Sequence, residues 1–127
     1  MAVQQSDSVR VLLVDDHNMV RQGLRSLLNQ YQDIYVVGEA GDGEEAIAKV
    51  AEANPSVVLM DITMPRMDGV TATRLIKARH PEVAVLGLSF MTGGHQVEAL
   101  LRAGAVAVLA KERAPEDLYR ALKSAVA

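Results

Sequence analysis

The chain has 127 residues, the size of one ordinary domain, and half of its residues are hydrophobic. Aromatic residues make up only 3%, so we expect an aliphatic core. Cysteine is absent, which excludes disulfides and thiolate metal sites and fits a cytoplasmic location. The net charge is −3, lysine and arginine are scattered, and no apolar stretch approaches the roughly 20 residues that span a membrane. We therefore expect no direct nucleic-acid binding by this domain and no membrane insertion.

Residues 1–8 are polar and lack an apolar signal segment, so we expect a disordered lead-in followed by a folded domain of residues 9–127. In that domain, short apolar runs alternate with longer stretches whose apolar residues recur at helical spacing. The apolar runs predict five strands, at residues 9–14, 34–37, 57–60, 83–88 and 106–109.

The amphipathic stretches predict five helices, one after each strand. Turn and capping residues set their limits: the helices cover about residues 18–30, a segment from Asp42-Gly43 to Asn54-Pro55, about residues 70–79, a segment between Gly94 and Gly104, and a last segment that begins near Pro115. Continuous apolar strands that alternate with helices are typical of an α/β fold with a parallel sheet covered on both faces.

Polar residues follow four of the five predicted strands. Parallel sheets bind ligands beyond the carboxyl ends of their strands, so these residues are the candidates for a functional site. They are Asp15, Asp16, Asp61, Ser89 and Lys111.

Three carboxylates gathered at one sheet edge repel one another unless a cation joins them. Mg²⁺ prefers oxygen ligands and retains several waters, so a few protein oxygens suffice. Asp15, Asp16, Asp61 and the main-chain carbonyl of Thr63 are the predicted ligands.

The same residues suit phosphoryl transfer, in which catalysis consists mainly of positioning the phosphoryl oxygens and neutralising their charge. Asp61 is the predicted nucleophile. Lys111 is expected to pair with Asp61 at rest and with a phosphoryl oxygen after transfer, and Ser89 to donate a hydrogen bond to another oxygen. Each of these residues has an ordinary explanation by itself, as a helix cap or a solvated side chain. Their coincidence at one edge favours a common function.

The segments 11–16 (VLLVDD) and 61–69 (DITMPRMDG), together with Ser89 and Lys111, carry a family resemblance. On these motifs, residues 9–125 resemble the receiver domain of two-component response regulators. Residues 16–24 and 36–40 resemble the subgroup that is often joined to a helix-turn-helix output domain. Similar receivers also end hybrid sensor kinases.

The resemblance implies a doubly wound, five-stranded parallel sheet in the flavodoxin-like order 2-1-3-4-5. It implies that Asp61 is the phosphoacceptor and that Asp15 and Asp16 hold Mg²⁺, with Asp16 as the more direct ligand. Ser89 becomes the switch hydroxyl and Lys111 the lysine that contacts the phosphoryl group.

The resemblance also implies the partners of the domain. The phosphoryl donor is expected to be a histidine kinase or a histidine phosphotransfer protein that docks near Met19 and Val20. A homodimer that forms on phosphorylation is a further expectation of the family.

Three positions depart from many relatives. Val108 occupies the place of an aromatic residue that rotates on activation, Phe90 and Met91 are bulky residues beside Ser89, and Glu112 stands where some relatives have a proline. We therefore expect no aromatic switch and no cis peptide after Lys111.

The resemblance implies that the domain is not an enzyme but a phosphorylation-activated signalling switch, which changes conformation to control an output. Two other functions compete with this one. A phosphatase of the haloacid-dehalogenase type uses an aspartyl intermediate, but it places its two aspartates two residues apart after the first strand. Here Asp15 and Asp16 are adjacent, and no cap domain is inserted. The second alternative is a receiver-like binding module that acts without phosphate. Val108 and Phe90 leave this alternative open, whereas the complete acidic set, Ser89 and Lys111 argue against it.

Overall fold

A computed structural model describes residues 8–62, 68–89 and 95–127 of the chain. The described strands are β1 (Val9–Val14), β2 (Ile34–Ala40), β3 (Val57–Asp61), β4 (Ala84–Ser89) and β5 (Ala107–Ala110). The described helices are α1 (Asn18–Leu28), α2 (Gly43–Ala53), α3 (Gly69–Arg79), α4 (His95–Ala103) and α5 (Ala114–Ala125), and a short 3₁₀ helix, Lys111–Arg113, precedes α5. Residues 1–7 of the predicted lead-in lie outside the described residues.

The five strands form one parallel sheet in the order β2-β1-β3-β4-β5. The predicted α/β fold and its strand order are therefore confirmed. Within the described ranges, no helix has the length and apolar character that a membrane span requires.

Successive strand residues point to opposite faces of the sheet and build two separate cores. Leu12 packs on one face in a cluster with residues of α2, α3 and α4, such as Val50, Ile76 and Leu100. Leu13 packs on the other face in a cluster with residues of α1 and α5. Because both faces are covered, only the ends of the strands are open to ligands.

β2 extends three residues beyond its predicted end. Gly38 and Glu39 disfavour strand structure by composition, but both pair with β1 here. The strand register shifts between Val11 and Leu12, so that Gly38 lies opposite Leu12. A side chain at Gly38 would place its Cβ 3.1 Å from Leu12 Cδ1, and glycine therefore fits this close approach.

Aspartate side chains cap two helices, one at a position that the sequence predicted and one at a position that it did not. Asp42 caps α2 as predicted, since its carboxylate accepts a hydrogen bond of 2.9 Å from the Glu45 N–H. Asp68 caps α3 in the same manner through the Thr71 N–H, at 2.8 Å. The second cap fixes the start of α3 directly after the segment that carries Asp61.

Candidate functional site

The register of the central strands brings two acidic residues to the same edge of the sheet. Val14 of β1 lies opposite Met60 of β3. The residues that follow them, Asp15 and Asp61, therefore lie side by side at the end of these two strands. Both residues are buried, with exposed fractions of 1% for Asp15 and 6% for Asp61. Carboxylates are seldom buried unless they are paired, so this edge requires a compensating charge.

The neighbouring strands bring the remaining predicted residues to this edge. Leu88 lies opposite Asp61, and Ser89, the next residue, pairs with Ala110 of β5. Lys111 directly follows Ala110. Thr63, the predicted main-chain ligand, lies outside the described residues, as do Phe90 and Met91.

Lys111 supplies the compensating charge. Its Nζ lies 2.8 Å from Asp15 Oδ2 and 3.4 Å from Asp61 Oδ1. One ammonium group therefore forms ion pairs with two buried carboxylates. The pairing with Asp61 expected from the sequence is present, but the shorter contact is the one to Asp15.

The other oxygen of Asp15 is also engaged. Asp15 Oδ1 accepts a hydrogen bond of 2.9 Å from the His17 N–H, while Asp16 is partly exposed at the mouth of the site. His17 Nδ1 lies 3.1 Å from Asp16 Oδ1 and 3.2 Å from Asp15 Oδ1. Possible ligand atoms of these three residues all lie within 4.8 Å of one another, and their carboxylate oxygens fit a hard divalent cation.

His17 lies beside the acidic pair of Asp15 and Asp16. It occupies the N-cap position of α1, and its side chain is largely exposed. Its ring nevertheless lies against the acidic pair. The adjacency of Asp15, Asp16 and His17 in the chain is a signal for this contact, but adjacency does not give the direction of the ring.

Gly69 shapes the site from the opposite side. A Cβ at this position would lie 2.2 Å from the carbonyl oxygen of Asp61, so only glycine permits α3 to begin against the end of β3. The Gly69 N–H donates a hydrogen bond of 3.0 Å to the carbonyl of Ile62. The start of α3 is thus packed directly on the strand end that presents Asp61.

Val108 lies on β5 and packs against the core cluster beneath α4. A Cβ at Gly87 would lie 3.2 Å from Val108 Cγ2 and 2.3 Å from Leu100 Cδ2, so both side chains fill the space above that glycine. The peptide bonds of the described residues contain no cis bond, including the one between Lys111 and Glu112.

Comparison with known proteins shows the family of the chain. The family model of the response regulator receiver domain matches residues 11–123. The chain therefore belongs to the response regulator receiver domain family, whose members are signalling domains of two-component systems.

Particular relatives place the chain within that family. VraR, a response regulator of Staphylococcus aureus, is 42% identical over 116 residues, which are 91% of this chain and 56% of VraR. A LuxR-family response regulator from Aurantimonas is 33% identical with a TM-score of 0.88, covering 94% of this chain and 85% of that structure. The receiver domain of NarL from Mycobacterium tuberculosis is 30% identical with a TM-score of 0.88, covering 94% and 97%. The chain spans about half the length of the curated relatives that it matches.

Proposed function

We propose that this domain is a phosphorylation-activated switch in which Asp61 accepts a phosphoryl group from a histidine kinase or a histidine phosphotransfer protein. The observation that carries the proposal is the single ammonium of Lys111 held between two buried carboxylates, 2.8 Å from Asp15 and 3.4 Å from Asp61. Such a group is already positioned to neutralise charge that arrives at Asp61.

The divalent cation of this reaction would be Mg²⁺, held by Asp15, Asp16, Asp61 and the main-chain carbonyl of Thr63. When bound, it would neutralise charge on the phosphoryl oxygens. Both oxygens of Asp15 already accept contacts, from Lys111 and from the His17 N–H. The more exposed carboxylate of Asp16 is therefore the better direct ligand, and Asp15 supports the site from within.

The transfer step uses residues of this chain and a phosphohistidine of the donor. A carboxylate oxygen of Asp61 attacks phosphorus, so that a new P–O bond forms while the P–N bond to the donor imidazole breaks. The nitrogen of that imidazole keeps the electron pair of the broken bond. Lys111 and the Ser89 hydroxyl then contact phosphoryl oxygens.

Phosphorylation makes the charge at Asp61 more negative, from −1 to about −2, by analogy with other phosphorylated side chains. We propose that Lys111 and Ser89 turn toward this charge and shift α4 between two populations. A nearly complete shift requires about 5 kcal/mol of differential stabilisation. Because Val108 is small and packed above Gly87, the output would depend on movement of α4 rather than on an aromatic rotation.

The phosphoryl donor is proposed to dock beside α1. An open, mostly apolar groove of about 410 Å³ lies between α1 and the start of α5, and Lys111 is one of the residues that line it. Its lining includes Val20, Leu24 and Pro115. A donor seated on this groove would place its phosphohistidine near the carboxyl edge of the sheet, and uptake from a purified histidine kinase with ATP tests this part.

Intact-mass measurement with Mg²⁺ and acetyl phosphate tests the proposed function. We expect a gain of one phosphoryl group that is lost on standing, and no gain without Mg²⁺. The Asp61→Asn variant, which retains the shape of the side chain, is expected to gain nothing. Asp33→Asn, at a carboxylate far from the site, is the matched control and should be phosphorylated as the wild type is.

Additional measurements on the same protein separate the alternatives. Repeated turnover of added phosphoesters would identify a phosphatase. A complete lack of phosphoryl uptake by a folded protein that binds Mg²⁺ would favour the phosphate-independent binding module. Size-exclusion chromatography of the phosphorylated protein tests the proposed homodimer.

A further inference from the structure

Arg21 of α1 connects the acidic edge of the sheet, formed by Asp15, Asp16 and Asp61, to Glu39 of β2. Each of its three guanidinium nitrogens has a partner. Nε donates to Glu39 Oε1 at 2.8 Å, Nη2 lies 3.3 Å from Asn18 Oδ1, and Nη1 donates to the main-chain carbonyl of Asp15. The side chain is 17% exposed, so most of this network is shielded from water.

The carbonyl of Asp15 belongs to the peptide that joins Asp15 to Asp16. The preceding peptide is fixed as well, because the Asp15 N–H donates a hydrogen bond of 3.1 Å to the carbonyl of Ala40 on β2. Both peptides that flank the Asp15 Cα are thus held by other elements. The direction in which Asp16 leaves the strand follows from the orientation of the second peptide.

Glu39 anchors Arg21 from β2. Burial disfavours its ionised form, but hydrogen bonds from Arg25 and Arg21 outweigh burial and hold the pKa of Glu39 below its ordinary value. Arg25 donates to Glu39 Oε2 at 2.7 Å. The anchor therefore stays charged at neutral pH and fixes the fork of Arg21 against both of its acceptors.

We propose that Arg21 is a positioning residue that orients the Asp15–Asp16 peptide through Glu39 and thereby sets the affinity of the acidic edge for a divalent cation. The inference rests on the proposed function, since it assumes that this edge binds Mg²⁺. It differs from a purely structural role because Arg21 reaches the Asp15 carbonyl, whereas the described contacts of Arg25 with this network are confined to Glu39.

Arg25 provides the matched control. Arg21→Gln and Arg25→Gln each remove one positive charge from α1 and one partner from Glu39. Titration calorimetry with Mg²⁺ should show about tenfold weaker binding for Arg21→Gln, the lower end of the usual effect of supporting residues around a metal. Arg25→Gln should change the affinity less than about twofold, because a partly exposed ion pair contributes little.

A second readout separates positioning from damage to the fold. Phosphoryl uptake by Arg21→Gln is expected to be slow at low Mg²⁺ and to recover to the wild-type rate at saturating Mg²⁺. Arg21→Lys keeps the charge but lacks the planar fork, so its Mg²⁺ affinity should lie between those of Arg21→Gln and the wild type. This conservative variant retains the test if Arg21→Gln does not fold.

Equal Mg²⁺ affinities for Arg21→Gln and Arg25→Gln would overturn the inference, as would wild-type affinity for Arg21→Lys. These outcomes leave the proposed function intact, since the wild type would still bind Mg²⁺ and accept a phosphoryl group. A wild type that does neither would instead contradict the proposed function itself.

Discussion

A lysine pairs with an aspartate at each end of the strands: at the carboxyl ends, here called the carboxyl edge, and at the amino ends, called the amino edge. The two pairs differ in their exposure to water. At the carboxyl edge, the side chains of Lys111 and Asp15 are 8% and 1% exposed. At the amino edge, those of Lys123 and Asp33 are 37% and 33% exposed, although their ion pair is short at 2.6 Å. Tyr119 also donates to Asp33, at 2.8 Å, and its ring stacks on Tyr31 with centroids 4.2 Å apart.

The comparison shows that burial, rather than the residue types, distinguishes the candidate site from the cluster at the amino edge. Water can replace either partner at the amino edge, so the cluster of Asp33, Tyr119 and Lys123 serves to fasten α5 to the start of β2. At the carboxyl edge, two carboxylates share one ammonium away from water, and a change in charge must be met by a new ligand. We therefore expect the carboxyl edge to respond to a cation or a phosphoryl group.

The largest expected effect is that of Lys111→Met. Removal of the ammonium leaves Asp15 and Asp61 buried without their shared partner, so the free energy of unfolding should fall by about 3 kcal/mol without Mg²⁺. Mg²⁺ should stabilise both proteins, and it should stabilise the variant more than the wild type, so that part of the loss is recovered. Urea unfolding with and without Mg²⁺ measures both effects. A loss below about 0.5 kcal/mol would show that the buried edge behaves like an exposed one.

A smaller effect is expected for Tyr119→Phe at the amino edge. The variant loses the hydrogen bond to Asp33 but keeps the ring stacked on Tyr31, so the free energy of unfolding should fall by about 1 kcal/mol. Phosphoryl uptake should not change, which intact mass would verify. Tyr35→Phe, on the half-exposed surface of β2, is the control and should alter stability by less than about 0.5 kcal/mol. Slower uptake by Tyr119→Phe would mean that the two edges are coupled.

The smallest expected effect concerns acid stability. The hydrogen bond from Lys123, and then that from Tyr119, hold the pKa of Asp33 below its ordinary value. A carboxyl group whose pKa is lower in the folded state stabilises the protein above its unfolded pKa, and this contribution disappears as the pH falls through the folded pKa. Asp33→Asn should therefore weaken the loss of stability that sets in as the pH falls below about 4, the ordinary pKa of an aspartate.

The acid effect should stay below about 1 kcal/mol, because Asp33 is one-third exposed and solvent screens its pairing. Urea unfolding of both proteins across this pH range provides the measurement. Identical pH dependence of the wild type and Asp33→Asn would show that the amino-edge cluster contributes nothing to acid stability.

The alternation of apolar runs with amphipathic stretches predicted the α/β class with a parallel sheet, whereas the strand order came from the family resemblance. The strand ends then predicted which residues share the carboxyl edge, since Asp15, Asp61, Ser89 and Lys111 each follow or end an apolar run. Individual contacts were less accessible. Nothing in the spacing shows that Lys111 lies closer to Asp15 than to Asp61.

The other features that the sequence did not predict depend on contacts between segments that are distant in the chain. Arg21 and Glu39 lie on different elements, and their pairing depends on how α1 crosses β2. The extension of β2 through Gly38 depends on the register shift against β1, which overrides the weak strand preference of glycine. Such features follow from tertiary packing, and local sequence patterns do not predict them.

The central claim is that the carboxyl edge directs a phosphoryl group to Asp61. Its most direct test is to treat the protein with acetyl phosphate and Mg²⁺, reduce the acyl phosphate with borohydride, and locate the resulting homoserine by peptide sequencing. The account predicts homoserine at position 61 and unmodified aspartate at position 33. Homoserine at position 15, 16 or 33 in place of position 61, or none in a protein that has gained a phosphoryl group, would contradict it.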